Sequence, residues 1–166
     1  MIEHYSSILQ YFTKNVYLYS ELFYMGKQHK HNLVIDYEFD YGMIGICSHH
    51  VDYRLVWGIN EKLNLQFSKA DDDFIVVNKK GQKTQHSLFA FKDVDNLIEY
   101  YLIKNKNEGK FLIPEKQEVD YFLFLLENYK EDTIELMQKL KTVSSVLAVF
   151  NFDPKEISSV ENLIFN

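Results

Sequence analysis

Between Val119 and Leu126 the chain is apolar at seven of eight positions, Asp120 being the exception. A run of that length with almost no alternation belongs in the middle of a sheet rather than at its edge. The rest of the sequence has to supply strands on either side of it. With 166 residues, of which 46% are hydrophobic, there is material for one ordinary domain with a single core. A domain of about 150 residues removes roughly 68–70% of its unfolded surface from water, so no disulfide, metal or partner is needed for it to fold.

Upstream, Leu33 to Cys47 is rich in β-branched and aromatic residues and predicts one or two strands, including Met43 to Cys47. The period then changes. Val51, Leu55, Ile59 and Leu63 fall four apart with Val56 beside them, which draws one face of a helix starting near His49 and His50. Leu65 to Ser68, Phe74 to Asn78, Ser87 to Lys92 and Glu99 to Asn105 are short apolar runs between charged or Gly-containing turns and read as a meander. Asp132, with Glu135 three residues on, resembles a capping box, and Ile134, Met137 and Leu140 give a second helix its stripe. Val146 to Phe150 predicts a closing strand stopped by Pro154, after which Val160 to Phe165 is apolar enough to dock back. The expected class is α+β: a single, largely antiparallel sheet of about six or seven strands with two main helices packed on one face.

One cysteine, Cys47, cannot form an internal bridge, and no signal peptide is recognisable, which points to a reducing cytoplasm. Glu, His or Lys interrupts every apolar stretch well short of about 20 residues, so no spanning helix and no membrane partner are expected. The net charge of −6 argues against a protein that coats DNA or RNA non-specifically. Among 18 basic residues only Arg54 is an arginine, so a planar fork that pairs bidentately with a carboxylate is expected there. Residues 1–24 stand apart, with seven aromatics. Tyr5, Leu9, Phe12, Val16, Tyr19 and Phe23 recur at helical spacing, as in an added helix. The alternative, and the preferred one, is that translation starts at Met25, leaving 25–166 as the domain. Residues 1–24 hold one lysine and two glutamates, so the acidic balance survives either start.

Ile113-Pro114-Glu115-Lys116-Gln117-Glu118-Val119-Asp120-Tyr121 fits the signature IPExxxVDY at all six specified positions. Over residues 25–166 the chain resembles the bacterial family named after that motif. Asp52 to Leu55, Tyr101 to Lys106 and Glu161 to Phe165 support the likeness. The resemblance implies a cytoplasmic domain and carries over no activity and no catalytic residue. Read from the residues themselves, Pro114 holds Ile113 extended and ends the preceding strand. Asp120 would share a face with Phe122 and Phe124 by two-residue alternation, and a buried carboxylate needs a partner. The preferred reading has Arg54 pairing with Glu115 or Asp120, pinning helix to sheet beside Tyr121. In the alternative Arg54, Glu115 and Asp120 form a small polar site for an anionic ligand.

Cys47, His49 and His50, with His29 and His31, match no established zinc spacing and read as a strand thiol beside solvated histidines. Asp71 to Asp73 lacks the rest of a calcium loop. No cofactor is implied. A meander brings alternate turns to one end of the sheet, so Lys79, Lys80 and Lys83 are expected near Lys104, Lys106 and Lys110. Such an edge would attract RNA or an acidic partner in a salt-dependent way, or simply guard hairpin tips from aggregation. With 16% aromatic residues and one sheet face without an evident third layer, the expected function is a non-enzymatic binding or adaptor domain with an unidentified protein partner, a homodimer being one such arrangement. Its rivals are an enzyme or ligand-binding protein built on Arg54, Glu115 and Asp120, and an RNA-associated protein using the lysine edge.

Overall fold

The computed structural model describes residues 41–77, 81–126, 133–159 and 163. They lie in the compact unit Glu38–Asn166; the other unit, Met1–Tyr37, lies outside the described residues. The expectations for 1–24, for Leu33 to Asp40, for Lys79 and Lys80, for Asp132 and for most of the 160–166 tail therefore fall outside what is described.

The main sheet is built from β1 (Tyr41–Cys47), β2 (Ser68–Lys69), β5 (Leu88–Asp93), β6 (Ile98–Lys104), β9 (Tyr121–Leu126) and β10 (Ala148–Phe152). Its six strands lie in the order β10-β1-β9-β6-β5-β2, and every neighbouring pair is antiparallel. Two small hairpins, β3 (Phe74–Val77) with β4 (Lys83–His86) and β7 (Lys106–Asn107) with β8 (Lys110–Phe111), stand beside it. The apolar strand β9 is central as expected, flanked by β1 and β6.

Alternation along β9 builds two cores. Tyr121, Leu123 and Leu125 face the helices, joining Ile44, Ile46, Leu102, and Leu55, Val56 and Ile59 of α1 (Asp52–Leu63) with Leu136 and Leu140 of α2 (Thr133–Leu140). Both helices thus pack on this face. Phe122 and Phe124 point the other way, into Met43, Val76, Ile103, Leu112, Ile113, Val119, Ile157 and Leu163. The expectation of a face without a third layer is corrected here. Short segments cover it: the β3–β4 hairpin, the loop after β8, the 3-10 turn at Pro154–Glu156 and Leu163. None of them has helical or strand periodicity long enough to be read as a layer. On this side Gly45 lets Phe152 lie over β1, since a Cβ there would come within 2.5 Å of the Phe152 ring.

Two strand boundaries move. Leu65 to Ser68 is mostly the connection after α1, where Asn60 clamps both backbone groups of Phe67 and leaves only Ser68–Lys69 as strand. The closing strand runs Ala148–Phe152, two residues later than expected, and ends where Pro154 begins the 3-10 turn. β4 was not anticipated, because Lys83-Thr84-Gln85-His86 has no apolar alternation and pairs only with β3.

Candidate functional site

The segment Ile113 to Tyr121 is two consecutive turns, closed by Lys116 N–H to the Ile113 carbonyl (3.1 Å) and Val119 N–H to the Lys116 carbonyl (3.2 Å). Pro114 sits at the second position of the first turn, where its fixed φ belongs. Ile113 and Val119 are buried in the second core, so the loop is nailed down at both ends by apolar side chains.

What organises the backbone between them is Asn105, which is fully buried. Its Nδ2 donates to the carbonyls of Lys116 and Val119, both at 2.8 Å, and its Oδ1 accepts from Ile113 N–H at 2.9 Å. Its own N–H donates to the Asp120 carbonyl and its carbonyl accepts from Leu112 N–H. An amide side chain with both donor hydrogens and its acceptor used satisfies three loop groups that would otherwise be buried without partners. In the sequence Asn105 is only the end of an apolar run, with no signal of this role.

The three polar motif residues each tie the loop to a different element. Glu115 Oε1 accepts from Ser159 N–H at 2.8 Å. Burial alone would push its carboxyl up, and the backbone hydrogen bonds it receives hold it below its ordinary range instead. Asp120 Oδ2 accepts from Ser48 N–H at 2.8 Å, fixing the chain as it leaves β1. The Tyr121 hydroxyl lies 2.9 Å from Asp52 Oδ1 and 3.2 Å from the His50 carbonyl, and Lys104 Nζ reaches the same Asp52 oxygen at 2.8 Å. Burial again works against the Asp52 charge, but the hydrogen bonds from Lys104 and Tyr121 prevail and its carboxyl titrates below the ordinary range. Burial, reinforced by the Asp52 charge, raises the Tyr121 phenol.

The expected Arg54 pin is not formed, and other residues join helix to sheet. Arg54 is exposed on the outer side of α1 and makes no ion pair with Glu115, Asp120 or any other described residue. Asp120 is itself exposed, because the turn before β9 breaks the alternation that would have put it beside Phe122. Helix and sheet are joined by Asp52 at the first turn of α1 with Lys104 on β6 and Tyr121 on β9. Asp52 was the missed member; an acidic residue one position after a helix cap is a signal the sequence offers.

Around this junction Ser48, His49, His50, Lys104, Lys106 and Asp120 line a shallow cleft of about 220 Å3. The lysine edge is divided. Lys104 is neutralised by Asp52, and Lys106 lies over the Phe111 ring. Lys83 and Lys110 line a separate cleft of about 310 Å3, also bordered by Gln85, Asn107 and Glu108, where Asn107 Nδ2 donates to the Gln85 carbonyl and ties the two hairpins together. Cys47 Sγ donates to the Glu118 carbonyl, and burial together with the Asp120 charge raises its pKa, the opposite of what a thiolate nucleophile requires. Among the described residues no group of three or more His, Cys, Asp or Glu side chains is placed to hold a metal ion.

Among the described residues, the outer face of α1 carries the largest exposed aromatics. Tyr53 is 74% and Trp57 65% exposed, one turn apart, with Arg54 beside both. Compared with protein-family models, with curated proteins and with solved structures, the chain matches none.

Proposed function

We propose that the chain is a bacterial, cytoplasmic member of the IPExxxVDY family that works as a non-enzymatic binding or adaptor module, with the outer face of α1 as its contact surface. The observation that carries this reading is the cluster of Tyr53, Arg54 and Trp57, which includes the only arginine and the only tryptophan of the chain. Trp, Tyr and Arg are the residues that dominate binding energy in protein interfaces, while a helix needs none of them on its solvent side for stability. Among the described residues no helix is long and apolar enough to cross a membrane, which is compatible with the proposed compartment.

The signature motif supports the same reading. The side chains of Glu115, Asp120 and Tyr121 are occupied in holding the loop to the segment at Ser159, to the end of β1 and to α1, and Arg54 of the rival site forms no ion pair with Glu115 or Asp120. RNA association has a specific feature in its favour, the Lys83 and Lys110 cleft, but Glu108 borders the same cleft and offsets it.

Affinity capture from lysate with the full chain tests the proposal, run with and without nuclease and repeated with Tyr53→Ala/Trp57→Ala. A protein retained by the wild type and lost by the double variant, indifferent to nuclease, is expected, since each hot-spot truncation costs about 2 kcal/mol, or roughly 30-fold in affinity. Identical capture by the double variant overturns the α1 surface. Recovery that nuclease abolishes transfers the function to RNA.

A further inference from the structure

The two edges of the main sheet are unlike. One is β2, only Ser68–Lys69, with the Lys69 ammonium lying over the Phe89 ring. A strand that short, ending in a lysine, is how natural sheets discourage a further strand from adding. The opposite edge is β10, five residues long, Ala148-Val149-Phe150-Asn151-Phe152, and among the described residues nothing pairs with its outer side. Lys116 lays its ammonium over the Phe152 ring at the far end of the strand, and the strand itself carries no charge. From Thr142 to Phe152 no side chain ionises, there is no proline, and Leu147 and Phe150 are 57% and 42% exposed.

We infer that β10 is a self-association edge, through which two copies of this chain pair β10 against β10, antiparallel, and join their sheets into one. The uncharged stretch leaves this edge open to a second copy as the occupant. Each molecule carries −6, so copies repel over most of their surfaces, and β10 offers a long stretch on which they meet without a like-charge contact. Symmetry selects the arrangement, because an antiparallel pair of identical strands about a twofold axis is self-complementary: each backbone donor that one copy presents meets the matching acceptor of the other. Near the axis the two Phe150 side chains extend the apolar surface that Phe150 and Phe152 begin in each copy, where their rings lie 6.2 Å apart. The assembly also stops at two. Once both β10 edges are used, the outer strands of the joined sheet are two copies of β2, which are blunted. The inference does not depend on the α1 contact face, which lies on a different element.

A five-residue pairing is about 17 Å long and stands at the low end of stable interfaces, so a concentration-dependent dimer is expected rather than an obligate one. Sedimentation equilibrium of the full chain from about 1 to about 200 μM covers the affinities such an interface gives. The mass should rise from the 19.8 kDa of one chain toward twice that value and no further. Hydrogen exchange should show amide protection at Val149 to Asn151 growing with concentration. Asn151→Lys and Leu147→Lys place a charge on the edge at exposed positions outside both cores, and each should stay at the mass of one chain with the thermal unfolding of dilute wild type. A wild type that keeps the mass of one chain throughout overturns the inference, whether the edge is then idle or taken by another protein. So does a dimer that survives both substitutions, or growth beyond two chains.

Discussion

Asn105 and His86 are both fully buried polar side chains, and they respond to change in different ways. Truncating Asn105 to alanine leaves Ile113 N–H and the Lys116 and Val119 carbonyls without their partner inside a closed loop. Each orphaned group costs about 1–3 kcal/mol, so Asn105→Ala should lose more than about 3 kcal/mol, read as a lower urea midpoint at unchanged slope. A loss under about 1 kcal/mol would mean the loop is held by Ile113 and Val119 alone. His86 reports on pH instead. Burial is the largest influence on it and holds its imidazole below the usual 6.5, outweighing the pull of the Lys104 carbonyl and of Asp73 toward protonation. The folded chain therefore favours neutral His86, while the unfolded chain takes up a proton near pH 6.5. Stability from this group is complete above about 6.5 and falls as the pH drops below it, by at most about 1.4 kcal/mol per unit, until the folded state protonates too. Urea titrations at about pH 7.0 and about pH 5.5 should show that loss in the wild type and a smaller one in His86→Gln. The paired carboxylates Asp52 and Glu115, held low, lose their contribution only further down, near the ordinary carboxylate range.

Among the elements, those with a repeat were legible in the sequence and those fixed by hydrogen bonds were not. The four-residue spacing of Leu55 and Ile59 and the apolar run at β9 announce a helix and a central strand because burial of a regular face leaves a regular pattern. The β7–β8 hairpin leaves none: its two strands have two residues each, and its turn is set by positive φ at Glu108 (48°) and Gly109 (77°). Gly109 is readable as a turn residue. Glu108 is not, since a glutamate gives no hint of a left-handed backbone. The same limit applied to the candidate site. The IPExxxVDY residues stand out as carboxylates in want of partners and the chemistry of Arg54 points to it as the partner, whereas a junction of Asp52, Lys104 and Tyr121 depends on register between β6 and β9 that no local signal encodes. The hairpin also gives a test. A two-residue turn with both φ values positive favours Asn-Gly, so Glu108→Asn should relieve strain and add about 0.5–1 kcal/mol, a rise of roughly 2 °C in Tm. A lower Tm would show that the Glu108 carboxylate makes a contact worth more than the strain.

At the scale of the whole molecule, one sheet carries two cores of different construction. The helix side is covered by α1 and α2, the other side by the β3–β4 hairpin, a two-turn loop, a 3-10 turn and Leu163. Segments so short have little stability of their own, and a cover made of them would be expected to open first. The register of β9 argues otherwise. Phe122 and Leu123 are adjacent, both fully buried, and point to opposite cores, so loosening either core displaces the strand on which the other is built. Asn105 and the Asp52 junction couple the sides further, since the motif loop of the second core is continuous with Tyr121 in the first. The two faces should therefore melt as a unit. Phe122→Ala and Leu123→Ala are each expected to cost about 3–4 kcal/mol. The discriminating measurement is the fluorescence of Trp57, which sits on α1 on the helix side, set against far-UV circular dichroism in dilute protein. If the cores are coupled, Phe122→Ala moves both curves together and as far as Leu123→Ala does. If instead the loop-covered face opens independently, the Phe122→Ala dichroism transition should split while the Trp57 curve stays near that of the wild type.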